Sequence, residues 1–323
     1  MTVPGLRLRP FRGEPDFHLM APLANESFAG DGLDLFRSAA DYAREIAEQQ
    51  HFDAARDMVM AEIDGAMVAY ARCRWWWQAD GTLVLAGACL VPPRWRNLGI
   101  GRVLMEWLER RQDEVAREHA GDAACVREAF MAQGERDRAR LVEAAGYRPA
   151  RHFLKMVRPD LEGIPDFRLP AGVEVRPVRV EQYRAIWDAY KEAMRGHWGF
   201  SPPQPGDYER WLQSREFQPA LWQVAWEGER VVGQVKPFID ANYNAGLGKL
   251  RGWTEFIAVA PQWRRRGLAR ALIARALHAQ RKAGMQESAL GVDSDNTHDA
   301  SRIYADCGFR VVERSTSWRK PLR

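Results

Sequence analysis

Cysteine is scarce in this chain. Its 323 residues hold four cysteines, Cys73, Cys89, Cys125 and Cys307, with no C-x-x-C pair and no histidine at ligand spacing beside them. Neither a zinc site nor a disulfide framework is expected; the thiols read as reduced core residues, and no metal is called for. Long apolar runs are missing too. Nothing approaches the roughly 18 residues that a membrane span requires, and the opening Met1-Thr-Val-Pro-Gly-Leu-Arg7 lacks a signal-peptide core. A cytoplasmic protein with no membrane partner is the expectation. An excess of one charge is also absent, since 47 basic and 43 acidic residues leave a net charge of +4. Arginine is interleaved with Glu and Asp along helical stretches, and no basic-aromatic RNA motif occurs, so no nucleic-acid partner is expected.

What the chain does contain is a repetition. Val91-Pro-Pro-Arg-Trp-Arg96-Asn-Leu-Gly99-Ile-Gly101-Arg102 is nearly restated by Val259-Ala-Pro-Gln-Trp-Arg264-Arg-Arg-Gly267-Leu-Ala269-Arg270. Subtracting Gly99 from Gly267 gives an offset of 168, about half of the chain. Each copy follows a strand-like apolar run, turns through Pro and Trp, and opens an amphipathic helix. A helix start leaves backbone N–H groups without partners and carries partial positive charge, so an anion is its natural ligand. Gly99 and Gly267 remove the Cβ that would hold a phosphate off the backbone, and Gly101 or Ala269 keeps the next position narrow. Arg96, Arg102, Arg264, Arg265, Arg266 and Arg270 surround these turns with positive charge. The dinucleotide fingerprint is excluded because Leu104 and Leu272 stand where its last Gly would be, and neither copy has the Gly-Lys-Ser/Thr of a triphosphate-binding loop.

The rest of each half repeats as well. Leu6–Pro10 and Val173–Pro177 read as first strands, and the segment between the halves, residues 159–172, is rich in Pro and Gly and has no period. The expected organisation is therefore a domain at 1–158, a linker at 159–172 and a domain at 173–323. Asp64-Gly65 and Glu227-Gly228-Glu229, each between β-rich runs, signal hairpins. Alternating strands and helices predict an α/β fold with a mixed central sheet flanked by helices in each half. Three consecutive tryptophans, Trp75, Trp76 and Trp77, cannot all face one side of a strand. At least one is expected to be exposed or covered by the other half.

The turn Arg-x-x-Gly-x-Gly/Ala between a strand and a helix resembles motif A of the GNAT superfamily of acyl-CoA N-acyltransferases, and the order of elements resembles that family over nearly the whole chain, as a tandem pair. The resemblance implies that the turns bind the pyrophosphate of acetyl-CoA. In the second half this assigns Arg264, Arg265, Arg266, Gly267, Leu268, Ala269 and Arg270 to the cofactor, with the backbone of Ile257, Ala258 and Val259 pairing to its pantetheine arm. In the first half the corresponding residues are Cys89, Leu90 and Val91, then Arg96, Asn97, Leu98, Gly99, Ile100, Gly101 and Arg102.

Amine acetylation poses two proton problems. An ammonium must lose a proton and a departing thiolate should gain one. Asn296-x-x-x-Ala300-x-x-x-Tyr304-x-x-x-Gly308-Phe309 resembles the family's closing motif. By that resemblance Asn296 contacts the coenzyme arm and Tyr304 protonates the thiolate. Glu255 lies on the same strand face as Ile257 and Val259, and the resemblance implies that it is the base, acting directly or through water on the acceptor amine. His197 and Trp198 lie in an early loop that borders the acceptor in such folds, where binding residues concentrate. Counting back from Gly146 and Val91, the first half has Val142 where Tyr304 stands and Gly87 where Glu255 stands; Gly134 takes the place of Asn296. Expected is an N-acetyltransferase acting on a primary amine of a small molecule or peptide, with catalysis in the second half. A non-catalytic acetyl-CoA sensor is the alternative.

Overall fold

The computed structural model describes residues 3–295 and 300–322, so the expected coenzyme contact Asn296 lies outside the described residues. The chain forms two compact units, and their membership is not linear in sequence. The first contains residues 1–152, 245–247 and 315–323; the second contains 153–244 and 248–314. The main divisions by packing fall at 152/153 and 314/315.

In the first unit, β1 (Leu6–Pro10) is followed by α1 (Glu14–Gly30), α2 (Ala39–Glu48) and the single turn α3 (Ala54–Asp57). Ser38 starts α2 with a capping box, its hydroxyl accepting the Asp41 N–H while the Asp41 carboxylate accepts the Ser38 N–H. The hairpin of β2 (Met58–Ile63) and β3 (Ala66–Trp77) turns at Asp64 and Gly65, both with positive φ, as a tight hairpin turn demands. Next come β4 (Leu83–Leu90), α4 (Ile100–His119), β5 (Cys125–Ala132), α5 (Arg136–Ala144) and β6 (Arg148–Arg158). Strands β1 to β4 are antiparallel neighbours, β4 and β5 are parallel, and Ser315–Pro321 of β14 (Arg310–Pro321) pairs antiparallel with β5. Ile100, Leu104, Leu108 and Val115 recur at helical spacing on α4 and are fully buried, each worth about 1.5–3 kcal/mol of hydrophobic stabilisation. Trp75 finds its cover within this unit, stacked between the rings of His51 and His119 at 4.6 and 4.5 Å.

The second unit opens with the closing half of β6, which pairs antiparallel with β13 (Glu287–Asp293). It continues through β7 (Glu174–Val175), α6 (Tyr183–Met194), α7 (Asp207–Gln213), β8 (Gln223–Glu227), β9 (Arg230–Val235), β10 (Phe238–Ile239) and α8 (Ala241–Leu247). Then come β11 (Arg251–Trp253), β12 (Ala258–Val259), α9 (Leu268–Lys282), β13 and α10 (Ala300–Asp306). Strand β11 runs parallel to β13, whereas β12 is the edge strand of a second sheet and pairs only with β9. Both units are α/β with mixed sheets flanked by helices, as the sequence leads one to expect.

The same parting of strands occurs in both units. In the first, β4 pairs with β5 only as far as Ala86, then follows β3 alone to Leu90. In the second, the Thr254 N–H still bonds to the Ala289 carbonyl at 2.8 Å, but the Glu255 carbonyl accepts the Lys236 N–H at 2.9 Å and the chain leaves β13 for β9. Thr254 minus Ala86 is again 168. Phe256, with φ +54, makes the turn between the two sheets. A fully buried glutamine braces each strand just before the split: Gln112 donates to the Leu85 carbonyl, and Gln280 donates to the Thr254 hydroxyl, itself bonded to Ser288.

Candidate active site

The cleft between β12 and β13 is bounded by chemistry-bearing side chains. Glu255 is half-buried where the strands separate, and its Oε1 accepts the Gly291 N–H at 2.8 Å. Burial pushes its carboxyl up to about 7, and the Gly291 hydrogen bond opposes this only in part. Tyr304 projects from α10 into the core of the same unit and is 8% exposed. Burial foremost, and then the charge of Glu255, raises its pKa, so its hydroxyl keeps its proton across the physiological range. Tyr190 of α6 is the third member, raised to about 12 by burial and by Glu255. Two hydroxyls therefore lie within the electrostatic reach of one carboxylate poised near neutrality.

Each unit carries one cradle. Asn97 and Gly99 have φ +61 and +90; Arg265 and Gly267 have φ +58 and +82. The backbone path is the same in both copies. Gly99 and Gly267 each precede their helix in the left-handed region with no side-chain cap, which leaves the first-turn N–H groups of α4 and α9 turned to the outside. A Cβ at Gly267 would meet nothing within 4 Å, so that cradle is open, whereas one at Gly99 would come within 3.2 Å of Val3. In each copy an arginine Nε closes the turn onto the preceding valine carbonyl, Arg96 onto Val91 at 3.0 Å and Arg264 onto Val259 at 3.1 Å.

The charges around the two cradles differ. In the first, Arg94 pairs with Glu26, Arg96 with Asp31 and Asp137, and Arg102 with Glu106. In the second, Arg270 pairs with Asp306, but Arg265 and Arg266 are exposed and have no ion pair among the described residues. Among the described residues, unpaired positive charge therefore remains at the turn of Gly267, Leu268 and Ala269, whereas the arginines at the first turn are paired. The edge strand suits an extended ligand. Ala258 and Ala260 bond inward to β9, so the alternation of an antiparallel ladder turns the N–H groups of Ile257 and Val259 towards the cleft.

The first unit has neither a hydroxyl nor a carboxylate at the positions equivalent to Tyr304 and Glu255. Val142 is buried in the core, and a Cβ at Gly87 would run into Leu108, whose counterpart 168 residues on is Ala276. The pocket between its parted strands, lined by Cys89, Glu128 and Tyr147 among others, has room for about one water molecule. Cys89 is buried and its thiol is pushed up to about 12; Leu90, Val91, Ile100 and Gly101 complete the first copy of the motif, with Asn97 and Leu98 exposed. His197 and Trp198 sit in the turns after α6, both half-buried, with the Trp198 ring 6.0 Å from Phe153. Sequence reasoning missed Tyr190 and the buried Lys236. The signal for the latter is a lone lysine closing the apolar run Val231-Val-Gly-Gln-Val235.

The family model described as Acetyltransferase (GNAT) family matches twice, over residues 23–147 and 183–309. The chain belongs to the GNAT acetyltransferase family. It is similar to the mycothiol acetyltransferase of Geodermatophilus obscurus, 30% identical over 300 residues that cover 88% of this chain and 90% of that protein. The mycothiol acetyltransferase of a Nocardioides species is 28% identical over 264 residues, covering 76% and 84%. Among solved structures, a GCN5-related N-acetyltransferase from Sphaerobacter thermophilus superposes with a TM-score of 0.78 at 27% identity, covering 100% of this chain and 98% of the other. A tandem GNAT protein from the clavulanic acid biosynthesis pathway shares the fold, with a TM-score of 0.66 at 16% identity over 98% of both chains. This GNAT chain is an acetyl-CoA-dependent N-acetyltransferase. No group of side chains among the described residues is arranged to hold a metal ion, and no helix among them is long and apolar enough to cross a membrane.

Proposed function

We propose that the second unit transfers the acetyl group to a primary amine of a small molecule or peptide by direct attack, with Glu255 as base and Tyr304 as acid, and that the first unit is a non-catalytic copy. The feature that supports the reading is Glu255, held on the Gly291 N–H where β12 leaves β13, with the buried Tyr304 hydroxyl within its electrostatic reach. Acetyl-CoA supplies the acetyl group and the thiolate that departs. The open cradle at Gly267, the exposed Arg265 and Arg266, and the edge of β12 suit its phosphates and its extended arm.

Glu255 takes the proton of the acceptor ammonium, directly or through one water. A carboxyl near 7 is matched to this task, because about half of it is ionised at neutral pH and its conjugate acid still holds a proton well. Tyr304, kept protonated by burial, donates its O–H to the sulfur as the C–S bond breaks. Water is the competing nucleophile, and the half-buried rings of Tyr190 and Phe256 beside Glu255 limit its access. His197 and Trp198 border the acceptor side in this reading. The similarity to mycothiol acetyltransferases supports an acceptor of that kind, a small molecule bearing a free amine.

In the first unit, Leu108 beneath Gly87, Val142 in the place of Tyr304 and the ion-paired Arg94, Arg96 and Arg102 support a scaffold rather than a second catalytic centre. The test is thiol release from acetyl-CoA with a panel of amines, run beside calorimetric titration of acetyl-CoA. Amine-dependent thiol release is expected. Tight binding of acetyl-CoA without turnover of any amine would replace this reading with that of a sensor.

A further inference from the structure

Lys236, directly after β9, is 1% exposed and has neither an ion pair nor a side-chain hydrogen bond among the described residues. Four aromatic rings enclose its Nζ: Tyr190 at 4.5 Å, Trp211 at 4.8 Å, Phe256 at 5.0 Å and Trp222 at 5.6 Å. Ring faces attract a cation but do not replace a counter-charge in a dry site. Burial first, and then the charge of Lys191, depresses its pKa to about 7. Evolution of a core does not ordinarily leave such a group, since a buried lysine without a partner costs free energy that a methionine would not.

The duplication supplies a control for this position. In the first unit, Arg72 of β3 stands opposite Ala88 of β4. Lys236 stands six residues beyond Arg230, the first of β9, as Arg72 stands six beyond Ala66, the first of β3, and its N–H meets the Glu255 carbonyl beside Phe256, which is 168 residues on from Ala88. Arg72 and Lys236 are thus equivalent cations on equivalent strands. Arg72 is neutralised by Glu45 of α2, 2.8 Å away. In the second unit α7 brings Trp211 to that place, and its acids are engaged elsewhere: Asp207 is held by Arg210 and the Gln204 N–H, and Glu209 is exposed. A carboxylate present in one copy is missing from the other.

We propose that Lys236 is the anchor for a carboxylate carried by the acceptor, which fills beside Lys236 the place that Glu45 fills beside Arg72. The inference rests on the reading of the second unit as the site of acetyl transfer and narrows its substrate to amines that also bear a carboxylate. The approach is from the side of Tyr190 and Phe256, the two half-buried rings of the box; Trp211 and Trp222 are the buried back wall. That side also faces Glu255, whose charge reaches Tyr190, so the anchored carboxylate and the amine to be acetylated belong to one molecule spanning Lys236 and Glu255. The charged or titratable side chains around Lys236 are Tyr190 and Lys191 of α6, and Glu255 of the adjoining turn meets it through the backbone, its carbonyl accepting the Lys236 N–H. An arriving carboxylate favours the ammonium form, so binding above neutrality takes up a proton.

The test uses thiol release from acetyl-CoA with three matched acceptors, phenylalanine, phenylalaninamide and phenethylamine, on the full chain and on Lys236→Met and Lys236→Arg. At pH 7 the carboxylate-bearing acceptor is expected to be preferred at least about tenfold in kcat/KM, chiefly through KM, as a charge-assisted contact requires. Lys236→Met abolishes the preference. Lys236→Arg retains it and carries it to pH 9, where the wild type has lost it. Equal use of the three amines, or a preference that survives Lys236→Met, overturns the anchor and leaves the transferase reading intact. If none of the three is acetylated, calorimetric titration with phenylacetate and phenylacetamide decides: phenylacetate bound by the wild type and Lys236→Arg but not by Lys236→Met upholds the anchor, and no difference overturns it. Phenylacetate binding without thiol release from any amine would keep the anchor and overturn the transferase reading.

Discussion

The carboxylate of Glu255 accepts the backbone N–H of Gly291, a residue of β13, although Glu255 itself belongs to the strand that is leaving β13. The bond holds the candidate base at the mouth of the split with one oxygen still available. Burial raises its pKa to about 7, so the basic form is gained as pH rises through that value. The expected pH profile of kcat/KM rises about tenfold per unit below 7 and levels above it. Glu255→Gln should lower kcat by about 10²–10³ and flatten this limb; a profile unchanged in the variant would remove Glu255 from the proton path.

Tyr304→Phe keeps the ring that packs against Phe309 at 6.4 Å and deletes only the hydroxyl. The expected outcome is a loss of about 10² in kcat with the Kd for acetyl-CoA unchanged, measured by stopped-flow thiol detection and calorimetry. A variant with normal kcat would mean that solvent protonates the departing sulfur.

Gly267→Glu combined with Ala269→Glu puts two carboxylates and, at 267, a new Cβ into the open cradle and should weaken acetyl-CoA by at least about 10²-fold. Gly99→Glu with Gly101→Glu should leave turnover within about threefold while the fold is retained, because the first cradle is already neutralised by Glu26, Asp31 and Glu106. The reverse pattern would place the active site in the first unit.

Lys236 also makes a prediction about stability. Its folded-state pKa of about 7 lies below the ordinary lysine value of 10.5, so between these values the folded chain binds fewer protons than the unfolded one. Stability attributable to Lys236 is therefore absent below 7 and grows as pH rises towards 10.5. Relative to Lys236→Met, the wild type should gain roughly 3–5 kcal/mol over that window, read from urea unfolding at pH 7 and pH 10. Parallel curves for the two proteins would show that the amine is charged and compensated in the fold.

What the sequence made legible follows the range of the interactions. The cradles are local backbone devices, so Pro, Trp and Gly at fixed spacing reveal them, and the hairpin at Asp64-Gly65 is visible for the same reason. Tyr304 and Glu255 emerge only through the resemblance to the family's motifs, and spacing from Gly308 and Val259 then locates their first-half counterparts, Val142 and Gly87. The neutralised first cradle could not be read, since Arg96 and Asp31 are 65 residues apart and their pairing depends on how α1 packs. Lys236 was hidden for a different reason. A single lysine ends many strands, and only the third dimension surrounds it with rings contributed by α6, α7 and two loops.

Ser315–Pro321 of β14 supplies a strand to the first unit, where Ser317 and Arg319 both bind Glu128 and Lys320 reaches Glu109. These residues follow the whole of the second unit in the chain. A ribosome that has already released residues 1–152 has therefore not yet released the strand that covers β5, and that edge stays unpaired until residues 315–321 emerge. The first unit begins folding before the second and is completed after it, so its vulnerability to aggregation is set by the time taken to make the residues between.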